Sequence, residues 1–527
     1  MRSNMVHQFS QVPRADIPRS SFDRTHSYKT TFDAGWLVPV YCDEVLPGDT
    51  FNLKMTSFGR LATPLHPFMD NMFLDTFFFF VPLRLLWTNF PKFFGEQTNP
   101  GDSTDYLVPT MTSTAVTGYT AGSLHDYFGL PTKVPGLVHM SLFHRAYNLI
   151  WNQWFRDQNM QNSLPVPMGD GPDSPTDFVL QRRGKRHDYF TSALPWPQKG
   201  PAVQLPLGTV APVVSTGAFA GPTFKATAGA QAGSYQTRII TAGSNVQWNN
   251  ASTVDSRMFW DTTALQADLS TATAATINQL RQSFQIQRIY ERDARGGTRY
   301  TELVQAHFGV TSPDARLQRP EYLGGASIPL NVNPIAQTSS VPSQPTPQGN
   351  LAAMGTFHVN GTGFTKSFTE HGVIIGMISA RADLNYQQGI SRMWTRSTRW
   401  DFYWPALAHI GEQAVLNKEI YAQGSAAPTV DSAVFGYQER YAEYRYKPSL
   451  VTGQFRSNFA QTLDTWHLAQ NFSALPVLGA TFIQENPPVA RVIAVPTEPH
   501  FLYDSFVKLR CARPMPVYSV PGLIDHF

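Results

Sequence analysis

The chain has 527 residues, 15% of them charged and 13% aromatic, with a formal net charge of +3. Ordinary soluble chains carry about 25% charged residues, so this is neither a disordered solvating protein nor a coiled coil. A balance this near neutral excludes a histone-like chain whose whole task is neutralising nucleic acid. Two cysteines, Cys42 and Cys511, are too few for a disulfide scaffold.

Residues 1–30 hold Arg2, Arg14, Arg19, Arg24 and Lys29 against Asp16 and Asp23, and Pro13 and Pro18 interrupt any helix. This reads as an extended, basic N-terminal arm. It has no apolar signal region, so synthesis and folding in the cytoplasm are expected, and no run is long enough for membrane insertion. Phe51 to Thr56 alternates apolar and polar residues after a Pro47-Gly48-Asp49 turn, the pattern of a half-buried strand. Met72 to Val81 and Val373 to Ile378 are apolar on nearly both faces and read as fully buried strands. Phe143, Tyr147, Ile150 and Trp154 form one stripe of a helix, with His144, Asn148 and Asn152 on a more polar row. A second helix is expected around Ile277, Leu280 and Phe284, ending at Gly296-Gly297.

From Pro201 to Leu280, Ala, Thr, Gly and Ser supply 39 of 80 residues and only six are charged. A structureless loop of that length is unusual in a compact domain. Residues 201–275 therefore read as a surface insertion with structure of its own. Near the C-terminus, Phe501, Tyr503, Val507, Leu509 and Cys511 share one strand face, and Asp504, Lys508 and Arg510 share the other. Strands at both ends enclosing helices and insertions fit an all-β sandwich with expanded loops. No regular strand–helix alternation supports a doubly wound fold.

No complete catalytic motif appears. Gly361 to Ser367 lacks the glycine before the lysine that a phosphate loop needs, and it reads as a turn between strands. His139 and His144 are five apart, off a common helical face, so no metal site is expected. Neither enzymatic activity nor a cofactor is expected. Three stretches mix cations with rings: Arg182 to His187 before Tyr189 and Phe190; Arg392, Arg396 and Arg399 among Trp394 and Trp400; and Arg440, Arg445 and Lys447 among Tyr437, Tyr441, Tyr444 and Tyr446. Such mixtures bind single-stranded nucleic acid or form subunit interfaces. The aromatic content alone also admits a β-rich carbohydrate-binding protein or hydrolase.

Several ungapped runs resemble the major capsid protein of gokushoviruses, small single-stranded DNA phages of the microvirus family (Microviridae, Gokushovirinae). They are residues 12–24, with Thr30 to Gly35 and Leu46 to Phe51; residues 145–158; residues 291–302 with 307–322; and residues 514–527. The resemblance implies a single eight-stranded jelly roll across the discontinuous chain. It implies self-assembly, via pentamers, into a T=1 icosahedral shell of sixty copies around a circular single-stranded DNA genome. It further implies three protein partners: an internal scaffolding protein, a small basic DNA-binding protein and a DNA pilot protein. The insertion is expected at threefold axes, touching a host surface receptor. On this reading Arg14, Arg19, Arg24, Arg392, Arg396 and Arg399 are candidates for the nucleic-acid or inner surface. Trp248, Phe259 and Trp260 are candidates for the threefold or host-contact insertion.

Overall fold

The computed structural model describes residues 18–203, 213–215, 224–226, 258–260, 265–267, 277–297, 299–310, 318–339 and 348–518. The chain divides into two units, residues 1–197 with 296–527, and residues 198–295.

Two antiparallel sheets organise the first unit. In the six-stranded sheet the C-terminal strand, Phe501–Arg513, pairs on one side with Ser20–Asp23 and His26–Phe32. On its other side it pairs with Thr50–Leu61, followed by Leu351–Ser367 and Asn331–Ala336. The described part of the N-terminal segment is therefore strand from Ser20 onward. The four-stranded sheet runs Glu321–Pro329, Met72–Pro82, Gly372–Ala382, Val38–Val45.

The two sequence patterns follow from how many faces each sheet buries. In the six-stranded sheet, Phe51, Leu53, Met55 and Leu61 turn inward beside Phe501, Tyr503, Val507 and Leu509. The alternate residues face solvent, which is why these strands alternate. The four-stranded sheet is covered twice. Leu74, Phe78, Phe80, Ile374 and Ile378 pack into the core shared with the six-stranded sheet. Phe79, Val81, Val373, Ile375 and Met377 pack with Leu142, Ala146, Tyr147 and Ile150 of helix Leu142–Ile150. Each such aromatic or aliphatic side chain contributes roughly 1.5–3 kcal/mol by leaving water.

Two expectations change. The polar row of that helix is buried too: Asn148 donates to the carbonyls of Pro165 (2.9 Å) and Asp177 (3.1 Å), and Asn152 to that of Leu164 (2.8 Å). Loop carbonyls satisfy the amide nitrogens, and Asn152 Oδ1 accepts from the Leu164 amide, whereas Asn148 Oδ1 has no partner among the described residues. On the same helix Arg145, fully buried, clasps Asp173 at 2.6 and 2.7 Å and donates to the carbonyls of Leu86 and Gly169. Second, Gly361 lies inside strand Leu351–Ser367, where the register shifts between Val359 and Thr362, and not in a turn between strands. Its φ of +69° suits glycine at such a bulge.

In the second unit, helix Ile277–Arg295 forms where its spacing predicts, yet Ile277 and Phe284 are exposed and Ala294 is buried. Short strands Phe224–Ala226 and Met258–Trp260 pair antiparallel, as do Val213–Ser215 and Leu265–Ala267. No helix among the described residues is long and apolar enough to cross a membrane.

Candidate assembly and nucleic-acid surfaces

The basic residues singled out in the sequence land in different electrostatic situations. Arg14 lies outside the described residues. Arg19 donates to the carbonyl of Gly48 at 2.5 Å and to Thr50 Oγ1 at 3.4 Å. Arg24 grips the Asp43 carboxylate at 2.5 and 3.0 Å. Both therefore tie the N-terminal segment to the turn and strand that follow it.

The stretch Arg182 to Arg186 is absorbed by its own subunit. Arg182 stacks on Trp36 at 4.2 Å, Lys185 on Phe482 at 4.4 Å and Arg186 on Phe73 at 4.6 Å. Arg183 pairs with Asp75, which Arg381 also reaches at 2.9 Å, and Arg186 pairs with Asp383 at 3.0 Å. Buried among these cations, the Glu485 carboxyl is pushed up to about 7 by loss of water, a shift the neighbouring charges only partly oppose.

The other two stretches meet. Arg392 bonds Glu419 at 3.1 Å and the carbonyl of Ala414 at 2.6 Å. Arg396 sits 3.7 Å from Glu443 and 4.3 Å over the Tyr444 ring. Arg399 stacks on Trp400 at 3.9 Å, and Arg440 stacks on Tyr441 while donating to the carbonyl of Trp400. The amides of Tyr403 and Trp404 donate to the hydroxyls of Tyr444 and Tyr441. The result is one surface of rings: Trp394 is 72% exposed, and Trp400, Phe402, Tyr403, Trp404 and Tyr444 are about half exposed. Beneath it lies a separate small core that includes Tyr189, Phe190, Val415, Ile420 and Phe435. Exposed rings clustered in this way mark interaction sites on protein surfaces.

Of the insertion candidates, Trp248 lies outside the described residues. Phe259 and Trp260 stand on strand Met258–Trp260, opposite Lys225 and Phe224. Sequence spacing missed a histidine cluster. His139 of strand Val138–Met140 and His144 of the helix lie with ring centres 5.3 Å apart, and both meet His125 from a third element. His125 Nδ1 and His144 Nε2 are 2.9 Å apart. Burial drives His125 down to about 4 and His144 well below the usual value. Among the described residues no group of His, Cys, Asp or Glu is arranged to hold a metal.

A strand-rich subunit that leaves a cluster of rings open, its arginines held by carboxylates or stacked on rings, fits the class of structural proteins that complete themselves against other proteins. The sequence comparisons make this specific. The chain belongs to the phage capsid protein (F protein) family, whose model matches residues 10–523. It is 50% identical over 530 aligned residues to capsid protein VP1 of Bdellovibrio phage phiMH2K, covering 99% of this chain and 98% of that one. Similarity to capsid protein VP1 of Chlamydia phage 1 is 46% identity, again covering 99% and 98%. For capsid protein VP1 of Spiroplasma virus 4 it is 39% identity, covering 98% of both. A capsid protein is a component of the virion.

Proposed function

We propose that this chain is the major shell protein of a gokushovirus-type phage. Sixty copies assemble through pentamers into a T=1 icosahedron around a circular single-stranded DNA genome. The two facing sheets are the body of an eight-stranded jelly roll with added edge strands, and the chain has no catalytic role. An internal scaffolding protein, a small basic DNA-binding protein and a DNA pilot protein take part in assembly. The insertion, with Trp248, Phe259 and Trp260, faces outward at threefold axes and contacts a host receptor. Arg19 and Arg24 fix where the N-terminal arm leaves the subunit, and Arg14 meets a neighbour or the genome.

One observation carries the assembly reading: the aromatic surface formed by residues 392–404 and 440–446. Its cations Arg392 and Arg396 already have carboxylate partners, and Arg399 and Arg440 already lie on rings. Exposed rings remain, of the Trp and Tyr types that dominate protein interfaces. Arg392, Arg396 and Arg399 thereby act in shaping a subunit contact. The test is electron microscopy of the purified protein, alone and with Trp394→Ser plus Tyr403→Ser. Closed shells or pentamers from the parent, and folded but unassembled subunits from the variant, are expected. A variant that assembles normally rejects this surface, and a parent that never assembles with its scaffolding partner rejects the reading as a whole.

A further inference from the structure

The solvent side of the six-stranded sheet is built differently from the aromatic surface. Along strand Thr50–Leu61 the outward residues are Asn52, Lys54, Phe58 and Arg60, with half-buried Thr56 between them. Along the C-terminal strand they are Leu502, Asp504, Phe506, Lys508 and Arg510. The register sets Lys54 directly opposite Lys508, Phe58 opposite Asp504 and Arg60 opposite Leu502. Phe58 and Phe506 are each just over half exposed.

The carboxylates near this face are already engaged. Asp504 is held by Lys29 at 2.9 Å, and Asp23, opposite Arg510 on the ladder and within electrostatic reach of Lys508, accepts from the amide and hydroxyl of Thr25 at 3.1 and 2.5 Å. Among the described residues Lys54, Arg60 and Lys508 have no ion-pair partner. Like charges directly opposed on a ladder are destabilising, and departures from local rules of this kind concentrate at functional sites. At the Phe58 end the face drops into a groove of about 720 Å³, lined by Tyr28, Arg60, Tyr127 and Leu502 and by two carboxylates, Asp504 paired with Lys29 and Asp126 accepting from the Gly122 amide.

We propose that this sheet face binds single-stranded nucleic acid. Lys54, Lys508 and Arg510 take phosphates, Phe58 and Phe506 stack bases, and the groove beside Phe58 and Arg60 admits a base at its end. From Lys54 to Arg60 the strand advances about 20 Å at roughly 3.4 Å per residue, enough for several nucleotides. The surplus of unpaired cations is what favours nucleic acid here over a second copy of this nearly neutral chain. The inference rests on the reading that the chain encloses a single-stranded genome, and it names the surface that meets that genome.

The experiment measures binding of a fluorescent dT20 oligonucleotide to the unassembled full-length chain by anisotropy across a salt series. Shell formation of the same proteins is followed by electron microscopy. Lys54→Gln plus Lys508→Gln should weaken binding and flatten the log–log salt slope by about 1.4, at about 0.7 per phosphate contact on single strands. Phe58→Ser and Phe506→Ser should each weaken binding about five- to a hundredfold with little change in slope. Circular dichroism of each variant confirms folding, and Phe58→Tyr should restore stacking. Unchanged affinity in all variants overturns the proposal. So does loss with the lysine changes alone while heparin competes as well as dT20, because that describes a general polyanion patch. Variants that bind dT20 normally but fail to assemble also overturn it and identify the face as a subunit contact. A parent that forms no shells even with its scaffolding partner, yet binds dT20 through these residues, leaves the surface standing and rejects the shell reading instead.

Discussion

At the scale of single residues, the buried histidines make the sharpest test. His125, His139 and His144 sit among Tyr119, Phe128 and Phe178, and burial holds all three below the ordinary imidazole range. An unfolded histidine titrates near 6.5. Below that pH the unfolded chain takes up protons that the folded chain refuses, so this cluster costs stability as pH falls from about 6.5 toward 4. Glu485 acts in the opposite sense. Its raised value, about 7, means that its stability is lost as pH rises from about 4.5 to 7. The informative quantity is therefore the difference between a variant and its parent. Between pH 7 and pH 5 the thermal midpoint should fall further in the parent than in His144→Leu, because the variant has lost a buried group that resists protonation. A constant gap across that range would remove the histidines from the account.

At the scale of elements, strand Thr50–Leu61 depends on a glycine that its alternating pattern does not flag. A Cβ on Gly59 would stand 1.8 Å from the tip of the Phe357 ring, which lies across it from the neighbouring strand. The ring covers bare backbone and joins Phe501 and Tyr503 in the inter-sheet core. Gly59→Val drives that ring out of its rotamer, and overpacking of this kind costs about 1–3 kcal/mol or more. A lower urea midpoint with an unchanged slope is expected. Gly59→Val paired with Phe357→Leu should recover part of the loss, since the shorter side chain vacates the space.

At the scale of the whole molecule, the two large sheets are assembled entirely from residues outside 198–295. The strands within that unit pair only with each other among the described residues. Loop-closure cost changes slowly with length, so replacing residues 205–270 with a short Gly/Ser linker should leave the sheets folding and particles forming. Attachment to the host should be lost. Absence of any particle would make the unit a strut required for assembly, and full infectivity of the shortened particles would rule out receptor contact.

Hydrophobic period was legible in the residues alone, because the number of buried faces imposes it. One covered face gives the alternation of Phe51 to Thr56 and of Phe501 to Cys511; two covered faces give the unbroken apolar runs at Met72 and Val373. The family, too, was legible in long motifs such as residues 145–158. The fate of the charges was not. Arg182 to Arg186, Arg392 and Lys54 look alike as cations near rings. Only the tertiary structure gives the first group Asp75 and Asp383, gives Arg392 Glu419, and leaves Lys54 facing Lys508. Likewise the ring surface joins residues some forty positions apart, and the histidines converge from three elements. The reason is physical: a side chain's charge is answered by whatever the fold brings within a few ångströms, and those partners lie tens to hundreds of residues away, beyond the reach of any local pattern.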